Sequence, residues 1–378
     1  MHPSFAELGV SPRVVHALAG RGIREPFAIQ RLVIADVLAG RDVLAKSPTG
    51  SGKTLAFAVP LADRIAPSDG CPAALVLAPT RELAAQIFAE AEPLARARGL
   101  GVTAVYGGVG FNPQLRAVTR SQILVATPGR LEDLIARGAL SLARVRILVL
   151  DEADRMLDMG FRPAVDRIVA ACPADRQTLF FSATLDGEAG RIASRYTDRP
   201  VRHEHAPAPT GPVVEHRFLP VAHEDKLSAL TAELARDDGR TLVFVRTRRG
   251  ADRLVKRLAR EGVEAVAMHG DKSQRQREQA LARFESGQIR TLVATDVAAR
   301  GIDVDDIAHV INFDAPADRE GYVHRVGRTG RAGRGGMGTT FVAAGEEHDM
   351  RSIASALDLH RELARDGLAA RPRTRRRR

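Results

Sequence analysis

A strand-length apolar run, a glycine-rich turn and a helical segment follow one another near the start of the chain. The run covers residues 42–45, the turn reads Ser47-Pro48-Thr49-Gly50-Ser51-Gly52-Lys53-Thr54, and the next apolar segment covers residues 55–61. Glycines lack a Cβ, so the backbone N–H groups of such a turn can point at an anion, and the helix N-terminus adds its positive dipole. The stretch predicts a phosphate-binding loop between a strand and a helix.

Two side chains at the end of this loop carry the expected chemistry. Lys53 would reach the β- and γ-phosphates of a nucleotide, and the Thr54 hydroxyl would bind Mg²⁺. Ser47 stands where the pattern has its first glycine, so a plain glycine and serine turn is the structural alternative.

The length and composition of the chain indicate a two-domain intracellular protein. The chain has 378 residues, 44% of them hydrophobic and 27% charged, which is ordinary for globular proteins and long enough for two cores. It has no apolar run of membrane-spanning length and no signal-peptide layout at its N-terminus. Cys71 and Cys172 lack companions at metal-ligand spacing, so both are expected to be reduced. We expect a cytoplasmic protein that does not bind membranes.

The charge favours a polyanionic partner. The formal net charge is +10, but six of the last eight residues are arginines, and removing those six charges leaves +4. A terminal arginine run can hold nucleic acid without sequence preference. Because the chain has three tyrosines and no tryptophan, we expect backbone contacts rather than base stacking to dominate.

Strand-length apolar runs alternate with helical stretches through most of the chain. In the first half they cover residues 73–77, 102–106, 123–126, 147–150 and 178–181. In the second half they cover residues 241–245, 265–268, 291–294 and 308–313. Such alternation is typical of βαβ units with parallel strands. A proline-rich stretch between residues 198 and 212 interrupts it and predicts a domain boundary.

Acidic residues follow the run at residues 147–150, where the chain reads Asp151-Glu152-Ala153-Asp154. Carboxylates after a buried strand are costly unless a cation satisfies them. With the phosphate loop upstream, we expect Asp151 to be a Mg²⁺ partner and Glu152 to orient and deprotonate an attacking water. Acidic residues that only cap the next helix are the structural alternative.

Hydroxyl and arginine side chains mark two further positions. Ser182 and Thr184 follow the run at residues 178–181, where they could sense a phosphate by hydrogen bonding.

In the second half, residues 324–331 place arginines every three residues with glycines between them. Each glycine costs a helix about 1 kcal/mol relative to alanine, which suggests a backbone fixed for a purpose. Arginines from a second domain can neutralise charge on a γ-phosphate during its transfer.

The ordered set of motifs resembles that of the DEAD-box ATP-dependent RNA helicases, and the resemblance covers about residues 5–345. It implies an α/β fold with two tandem RecA-like domains, each a mainly parallel sheet flanked by helices. It further implies ATP bound between the domains and single-stranded RNA lying across both. Domain closure would bend one strand of a duplex, and hydrolysis would reopen the cleft.

The resemblance assigns the nucleotide site residue by residue. Phe5 and Gln30 match the adenine-reading motif, and Asp303 matches a carboxylate that helps to place the nucleotide. The expected contacts of the phosphate loop are Ser47, Thr49, Gly50, Ser51, Gly52, Lys53 and Thr54, with Thr54 and Asp151 as Mg²⁺ ligands. The expected catalytic set is Lys53, Asp151, Glu152, Arg328 and Arg331, in which the two arginines match the family's arginine fingers.

The resemblance also assigns coupling and RNA contacts. The residues expected to couple hydrolysis to strand separation are Asp154, Ser182, Thr184 and His324. The residues expected to contact the RNA backbone, or to support that surface, are Pro79, Thr80, Arg81, Gly108, Thr127, Gly129, Arg130, Arg246, Thr247, Gly270, Gln274, Arg277 and Thr295. Phe27 departs from the family pattern, which has Thr or Ser there, so a hydroxyl contact near the adenine is lost.

The expected organisation has five parts. They are an adenine-recognition segment (1–30), a first RecA-like domain that binds ATP (31–205), a linker (206–213), a second RecA-like domain (214–360) and a basic tail (361–378). The expected function is an RNA-dependent ATPase, with ATP and Mg²⁺, that unwinds RNA duplexes locally or remodels RNA–protein complexes. An ATP-gated RNA clamp or annealing chaperone is the alternative, and a DNA helicase is a further one. We expect a monomer with partners from ribonucleoprotein assembly or RNA decay.

Overall fold

The chain folds into two compact units, Met1–Pro207 (unit 1) and Ala208–Arg378 (unit 2). The computed structural model describes residues 2–47, 51–185, 187–205, 214–236, 239–299, 304, 306–330 and 335–368. The expected linker at 206–213 lies outside the described residues, as do residues 369–378 of the expected tail.

Unit 1 is a parallel sheet covered by helices on both faces. Its strands are β1 (Val43–Lys46), β2 (Ala74–Leu77), β3 (Val102–Val105), β4 (Ile123–Ala126), β5 (Ile147–Leu150), β6 (Gln177–Ser182) and β7 (Val201–Glu204). Its helices are α1 (Pro12–Gly20), α2 (Ala28–Leu38), α3 (Lys53–Arg64), α4 (Arg81–Ala97), α5 (Phe111–Val118), α6 (Pro128–Ala136), α7 (Ala153–Asp158), α8 (Arg162–Ala171) and α9 (Gly187–Tyr196). The strand order is β3-β4-β2-β5-β6-β1-β7.

The apolar strands of unit 1 pack on both faces. In β1, Val43 and Ala45 join a core beneath α1 to α4, whereas Leu44 faces the core on the opposite side. A strand buried on both faces must be apolar at every position, because helices cover each side of the sheet. This is why the continuous runs in the sequence identified the central strands.

Unit 2 repeats the architecture. Its strands are β8 (Val214–Pro220), β9 (Arg240–Phe244), β10 (Ala265–Met268), β11 (Thr291–Ala294), β12 (Ile307–Asn312) and β13 (Gly336–Val342). Its helices are α10 (Lys226–Leu234), α11 (Arg248–Arg260), α12 (Gln274–Glu285), α13 (Asp296–Ala299), α14 (Arg319–Val326), α15 (Glu347–Ala356) and α16 (His360–Arg365). The strand order is β10-β11-β9-β12-β13-β8, with parallel pairing throughout. The predicted α/β class and its parallel sheets are confirmed.

Helix α16 belongs to the folded part of unit 2. Leu363 and Leu368 are buried in one cluster with Phe218 of β8. The carboxylate of Asp366 also accepts a hydrogen bond from the backbone N–H of Phe218 at 2.7 Å. Unit 2 therefore extends beyond residue 360, the boundary expected from the sequence.

Candidate functional site

The carboxyl edge of the sheet in unit 1 brings three predicted motifs together. Strands β5, β6 and β1 are neighbours, and Lys46 of β1 pairs in register with Ser182 of β6. The backbone N–H of Ser47 donates to the Ser182 carbonyl at 3.0 Å, while Asp151 follows directly on β5. Parallel strands present their carboxyl ends on one side, where ligands of open α/β sheets bind.

Gly52 fixes the end of the phosphate loop against α2. It has a φ of +84°, and a Cβ there would lie 2.6 Å from Phe27 Cδ2 and 2.7 Å from Gln30 Nε2. Gln30 Nε2 donates to the Gly52 carbonyl at 2.9 Å, and its Oε1 accepts from the Phe27 N–H at 2.9 Å. Gln30 thus ties the segment predicted to read adenine to the phosphate loop, and only 1% of its surface is exposed.

Lys53 is buried at the first position of α3, where its Nζ donates to the Ser47 carbonyl at 3.0 Å. The hydroxyls of Ser47 and Ser51 lie 2.5 Å apart, which closes the base of the loop. Thr54 follows in the first helical turn and is half-buried. Thr49 and Gly50, both expected to contact nucleotide, lie outside the described residues.

The carboxyl group of Asp151 is buried at the edge of the sheet. Burial raises its pKa to about 7, and the nearby Lys53 ammonium counteracts that effect only in part. Its Oδ1 accepts a hydrogen bond from the Glu152 N–H at 3.0 Å.

This site fits Mg²⁺. A cation beside Asp151 would compensate the charge of its buried carboxylate. Thr54, which follows Lys53 in α3, offers a hydroxyl oxygen as a second ligand. Among the residues that the structure describes, no group of three His, Cys, Asp or Glu side chains could hold a metal ion. Mg²⁺ keeps several water and phosphate ligands and needs only one or two protein oxygens, so this small set of hard ligands suits it.

Glu152 occupies a strained position at the start of α7. Its φ of 48° lies in the left-handed region, which costs a non-glycine residue on the order of 1–3 kcal/mol and is commonest at functional sites. Its buried Oε2 accepts from Arg155 Nη1 at 2.7 Å. Glu152 and Arg155 thus form a buried ion pair across the first turn of α7.

Asp154 joins the acidic turn to the predicted coupling residues. Its Oδ2 accepts from the backbone N–H groups of Ala183 and Thr184, both at 3.0 Å. The Ser182 hydroxyl donates in turn to the Thr184 carbonyl. One turn therefore carries Asp151 toward the phosphate loop and Asp154 toward the segment after β6.

The expectation for Phe5 needs correction. Its side chain is 2% exposed and packs in the core with Val10, Val14 and residues of α2 and α3. A ring enclosed by aliphatic side chains has no open face on which adenine could stack. The exposed ring beside Gln30 is that of Phe27, with 62% of its surface accessible.

The predicted RNA contacts of unit 1 meet near the ends of β2, β3 and β4. Thr80 caps α4 by accepting from the Leu83 N–H at 3.2 Å. A Cβ at Gly107 would lie 3.0 Å from Arg81 Nη2, so the glycine pair 107–108 gives this guanidinium room. Thr127 and Gly129 begin α6, and Gly129 has open space around its Cα.

Gln114 is a residue that sequence reasoning missed. Its Oε1 accepts from Arg130 Nη1 at 2.7 Å, and its Nε2 donates to the Tyr106 carbonyl at 3.1 Å. Arg130 also donates to the Val109 carbonyl at 3.2 Å. Gln114 thereby fixes a predicted RNA-binding arginine to the loop after β3, although a lone glutamine on α5 gives no sequence signal for this role.

Unit 2 presents its predicted RNA contacts at the adjacent ends of β9, β10 and β11. Arg246 is exposed, and Thr247 caps α11 by accepting from the Gly250 N–H at 3.0 Å. Gly270 lies against the Arg248 guanidinium, and Thr295 begins the turn into α13. Gln274 and Arg277 are buried on α12, which fits a supporting rather than a contacting role.

Arg325 is the central support of α14. It forms a two-point ion pair with Asp296 at 2.6 and 2.7 Å and donates to the Asp314 carbonyl at 2.6 Å. Arg328, one turn on, is buried and donates its Nε–H to the His324 carbonyl at 3.2 Å. Arg331 and Asp303 lie outside the described residues. The three-residue spacing of the arginines in the sequence does not show that Arg325 pairs with Asp296 inside unit 2.

Two family profiles match the chain at the places where these residues lie. Residues 27–192 match the DEAD/DEAH box helicase family, and residues 225–333 match the helicase conserved C-terminal domain. The chain is also 42% identical to the DEAD-box ATP-dependent RNA helicase CshA of Geobacillus kaustophilus, over 91% of this chain and 74% of that relative. The chain belongs to the DEAD-box RNA helicase family.

Further comparisons agree with this assignment. The DEAD-box chain is 44% identical to the ATP-dependent RNA helicase DeaD of Klebsiella pneumoniae over 94% of its length, and it spans 56% of that relative. The solved structure of S. cerevisiae Dbp5 bound to RNA and ADP BeF3 is similar with a TM-score of 0.85 and 30% identity, covering 97% of this chain and 94% of the other. The RecA-like architecture expected for both units is thereby confirmed.

No helix in the described part of the chain has the length and apolar character that a membrane span requires.

The burial of Asp151 predicts a pH-dependent stability. Between pH 3.8 and about 7 the folded protein holds this proton more tightly than the unfolded chain, so the free energy of unfolding falls as pH rises through that window. We expect Asp151→Asn, without nucleotide, to raise the free energy of unfolding at pH 8 by on the order of 2–4 kcal/mol, and by less at pH 5. Urea unfolding followed by far-UV circular dichroism measures this difference.

Asp175→Asn is the matched control, since Asp175 is exposed and should respond little at either pH. A gain for Asp151→Asn that is the same at pH 5 and pH 8, or a loss at pH 8, would contradict the account.

Proposed function

We propose that the chain is an RNA-dependent ATPase that uses ATP hydrolysis to unwind RNA duplexes locally or to remodel RNA–protein complexes. The observation that carries the proposal is the turn after β5, in which Asp151 faces the phosphate loop while Asp154 binds the segment after β6. A phosphate-dependent change at one end of this turn would reach the other through two hydrogen bonds. Names of relatives support the same assignment, since DeaD and CshA are ATP-dependent RNA helicases.

Unit 1 would hold the nucleotide. Gln30 would read the adenine edge, while Lys53 would leave the Ser47 carbonyl for the β- and γ-phosphates. Asp151 and Thr54 would bind Mg²⁺, which supplies charge neutralisation for the phosphate oxygens. The ionised form of Asp151, disfavoured without a cation, would then become the stable one.

Glu152 would activate the attacking water. Its carboxylate accepts a hydrogen bond from Arg155, which fixes its orientation directly after Asp151, and in the ionised form it would accept the proton of the attacking water. A positioned general base contributes about 10²- to 10⁴-fold to such a step.

The arginines of unit 2 would complete the reaction. We assign Arg328 and Arg331 to stabilising the charge that develops on the γ-phosphate, and Asp303 to placing the nucleotide, on the strength of their position in the family motif. The two hydrogen bonds between Arg325 and Asp296 support this assignment. They tie α14 to the start of α13, and an arginine can stabilise a transition state only if its backbone is held in place.

RNA would bind through its backbone at the strand ends of both units. Backbone N–H groups, threonine hydroxyls and the guanidiniums of Arg81, Arg130 and Arg246 are phosphate and 2′-OH ligands, and they read shape rather than base sequence. Two similar solved structures hold the same class of ligand, since Dbp5 is bound to RNA and Mss116p to ssRNA with AMP-PNP.

Release of a short RNA duplex distinguishes helicase activity from an RNA clamp. We expect strand release to require ATP and to fail when ADP is supplied, because closure on ATP and RNA is the step that bends one strand of the duplex. Native gels of a labelled duplex measure this. Release by protein alone would favour an annealing chaperone, and equal stimulation of ATPase by DNA and RNA would favour a DNA helicase.

Replacing Glu152 tests the catalytic assignment. Glu152→Gln should lower RNA-stimulated ATP turnover at least about a hundredfold, since the amide cannot take a proton. Affinity for RNA and ATP should change little, because the amide oxygen can still accept the hydrogen bond of Arg155. Phosphate release and RNA anisotropy assays measure the two effects.

Glu132→Gln is the control for that experiment, because Glu132 is a glutamate of the same unit that also pairs with an arginine, Arg167 at 2.6 Å, and has no predicted catalytic role. Undiminished ATPase activity in Glu152→Gln would remove Glu152 from the mechanism.

A further inference from the structure

Helix α11 of unit 2 carries a band of positive charge that the proposed function does not use. Five exposed side chains form this band, which we call the α11 stripe: Arg249, Arg253, Lys256, Arg257 and Arg260. Their spacing of four, three, one and three residues places them on one side of a helix. The opposite side, with Ala251, Leu254 and Leu258, is buried in the core of unit 2.

The charges of the α11 stripe are not compensated within the protein. Among the residues that the structure describes, none of the five forms an ion pair. Asp252, the single acidic residue of α11, points elsewhere and accepts from Lys272 at 2.8 Å.

The arrangement is unfavourable for the isolated protein. A solvated helix face usually alternates the sign of its charges, which stabilises the helix through pairs at i and i+4. The α11 stripe instead places like charges at that spacing in the pairs 249–253, 253–257 and 256–260. A polyanion laid along the helix would relieve this repulsion.

The position of the α11 stripe indicates which polyanion. Helix α11 begins at Thr247, its N-cap, which belongs to the predicted RNA surface together with Arg246 and Gly270. Because β9 and β10 are parallel, the helix between them leads from the carboxyl edge of the sheet toward the opposite edge. From Arg249 to Arg260 it covers about 16 Å at 1.5 Å per residue. The stripe is thus a continuation of the surface that meets RNA at the strand ends.

We propose that the α11 stripe binds the phosphate backbone of RNA that extends beyond the segment held at the strand ends. The inference rests on the proposed function, because it assumes RNA at those strand ends. The stripe would anchor the chain beside its working site, through charge and without base reading.

The test compares the full chain with the variant R253Q/K256Q/R260Q. Glutamine resembles arginine and lysine in helix propensity, so α11 should remain folded. The control variant R191Q/R202Q/R361Q removes the same charge from three exposed arginines that pair with no described residue. Fluorescence anisotropy gives the affinity for a 10-nucleotide single strand, and for that strand with a single-stranded or duplex extension on either side.

We expect the stripe variant to bind at least one extended RNA about tenfold more weakly at low salt, with a slope of log affinity against log salt smaller by about 2–3. The affinity for the 10-nucleotide strand should stay within about twofold, because the contacts at the strand ends of the two units are expected to occupy a strand of that length. The single-stranded and duplex arms show which form of RNA occupies the stripe.

Equal losses on short and extended RNA, an unchanged salt slope, or the same loss in the control variant would overturn the inference. RNA-stimulated ATPase of the wild-type chain with the 10-nucleotide strand tests the proposed function separately. If that stimulation is present while the stripe variant binds normally, the stripe inference alone fails. Circular dichroism verifies that both variants are folded.

Discussion

Asp151 ends β5 with a carboxylate that the surrounding protein does not solvate. The parallel pairing of β5, β6 and β1 forces this group into the edge where the phosphate loop begins. Lys53 donates a hydrogen bond to the Ser47 carbonyl. Its positive charge only partly offsets the rise in the pKa of Asp151 that burial causes. Unit 1 therefore holds a buried carboxyl group whose charge the neighbouring Lys53 offsets only in part. In the proposed function, a magnesium nucleotide would bring a cation to Asp151 and phosphate oxygens to Lys53.

The turn from Asp151 to Asp154 carries acidic side chains that contact two different parts of unit 1. Asp151 lies near Lys53 of the phosphate loop, whereas Asp154 accepts hydrogen bonds from the backbone N–H groups of Ala183 and Thr184. Because the two N–H groups converge on a single carboxylate oxygen, the segment after β6 cannot shift without disturbing the turn. Coupling of this kind needs no long pathway, since the participating strands are neighbours in the sheet.

The sequence predicted β1 to β6 and β9 to β12, because these segments read as unbroken apolar runs of strand length. It did not predict β7, β8 and β13. Strand β7 lies at a sheet edge and alternates between half-buried and exposed residues, and β13 is rich in glycine and threonine. Long-range pairing of β13 with β8, rather than local preference, determines that these segments are strands.

The site was predictable where chemistry dictates residue type, as for Lys53 and Asp151. It was not predictable where a residue acts by contact alone. The burial of Phe5, the support of Arg130 by Gln114 and the ion pair of Arg325 with Asp296 depend on which surfaces the fold brings together. The exposure of Phe27 was not predictable either. Its ring stands where the family pattern has Thr or Ser, and its backbone N–H still donates to Gln30.

A crystal structure of the chain with Mg²⁺, ADP, beryllium fluoride and a short RNA would test the central claim most directly. The account predicts that Lys53 Nζ leaves the Ser47 carbonyl and lies within hydrogen-bond distance of the fluoride or phosphate atoms. It also predicts Mg²⁺ about 2.1 Å from an oxygen of Asp151, or one water away. A structure in which Lys53 still binds Ser47, with the metal remote from Asp151, would contradict it.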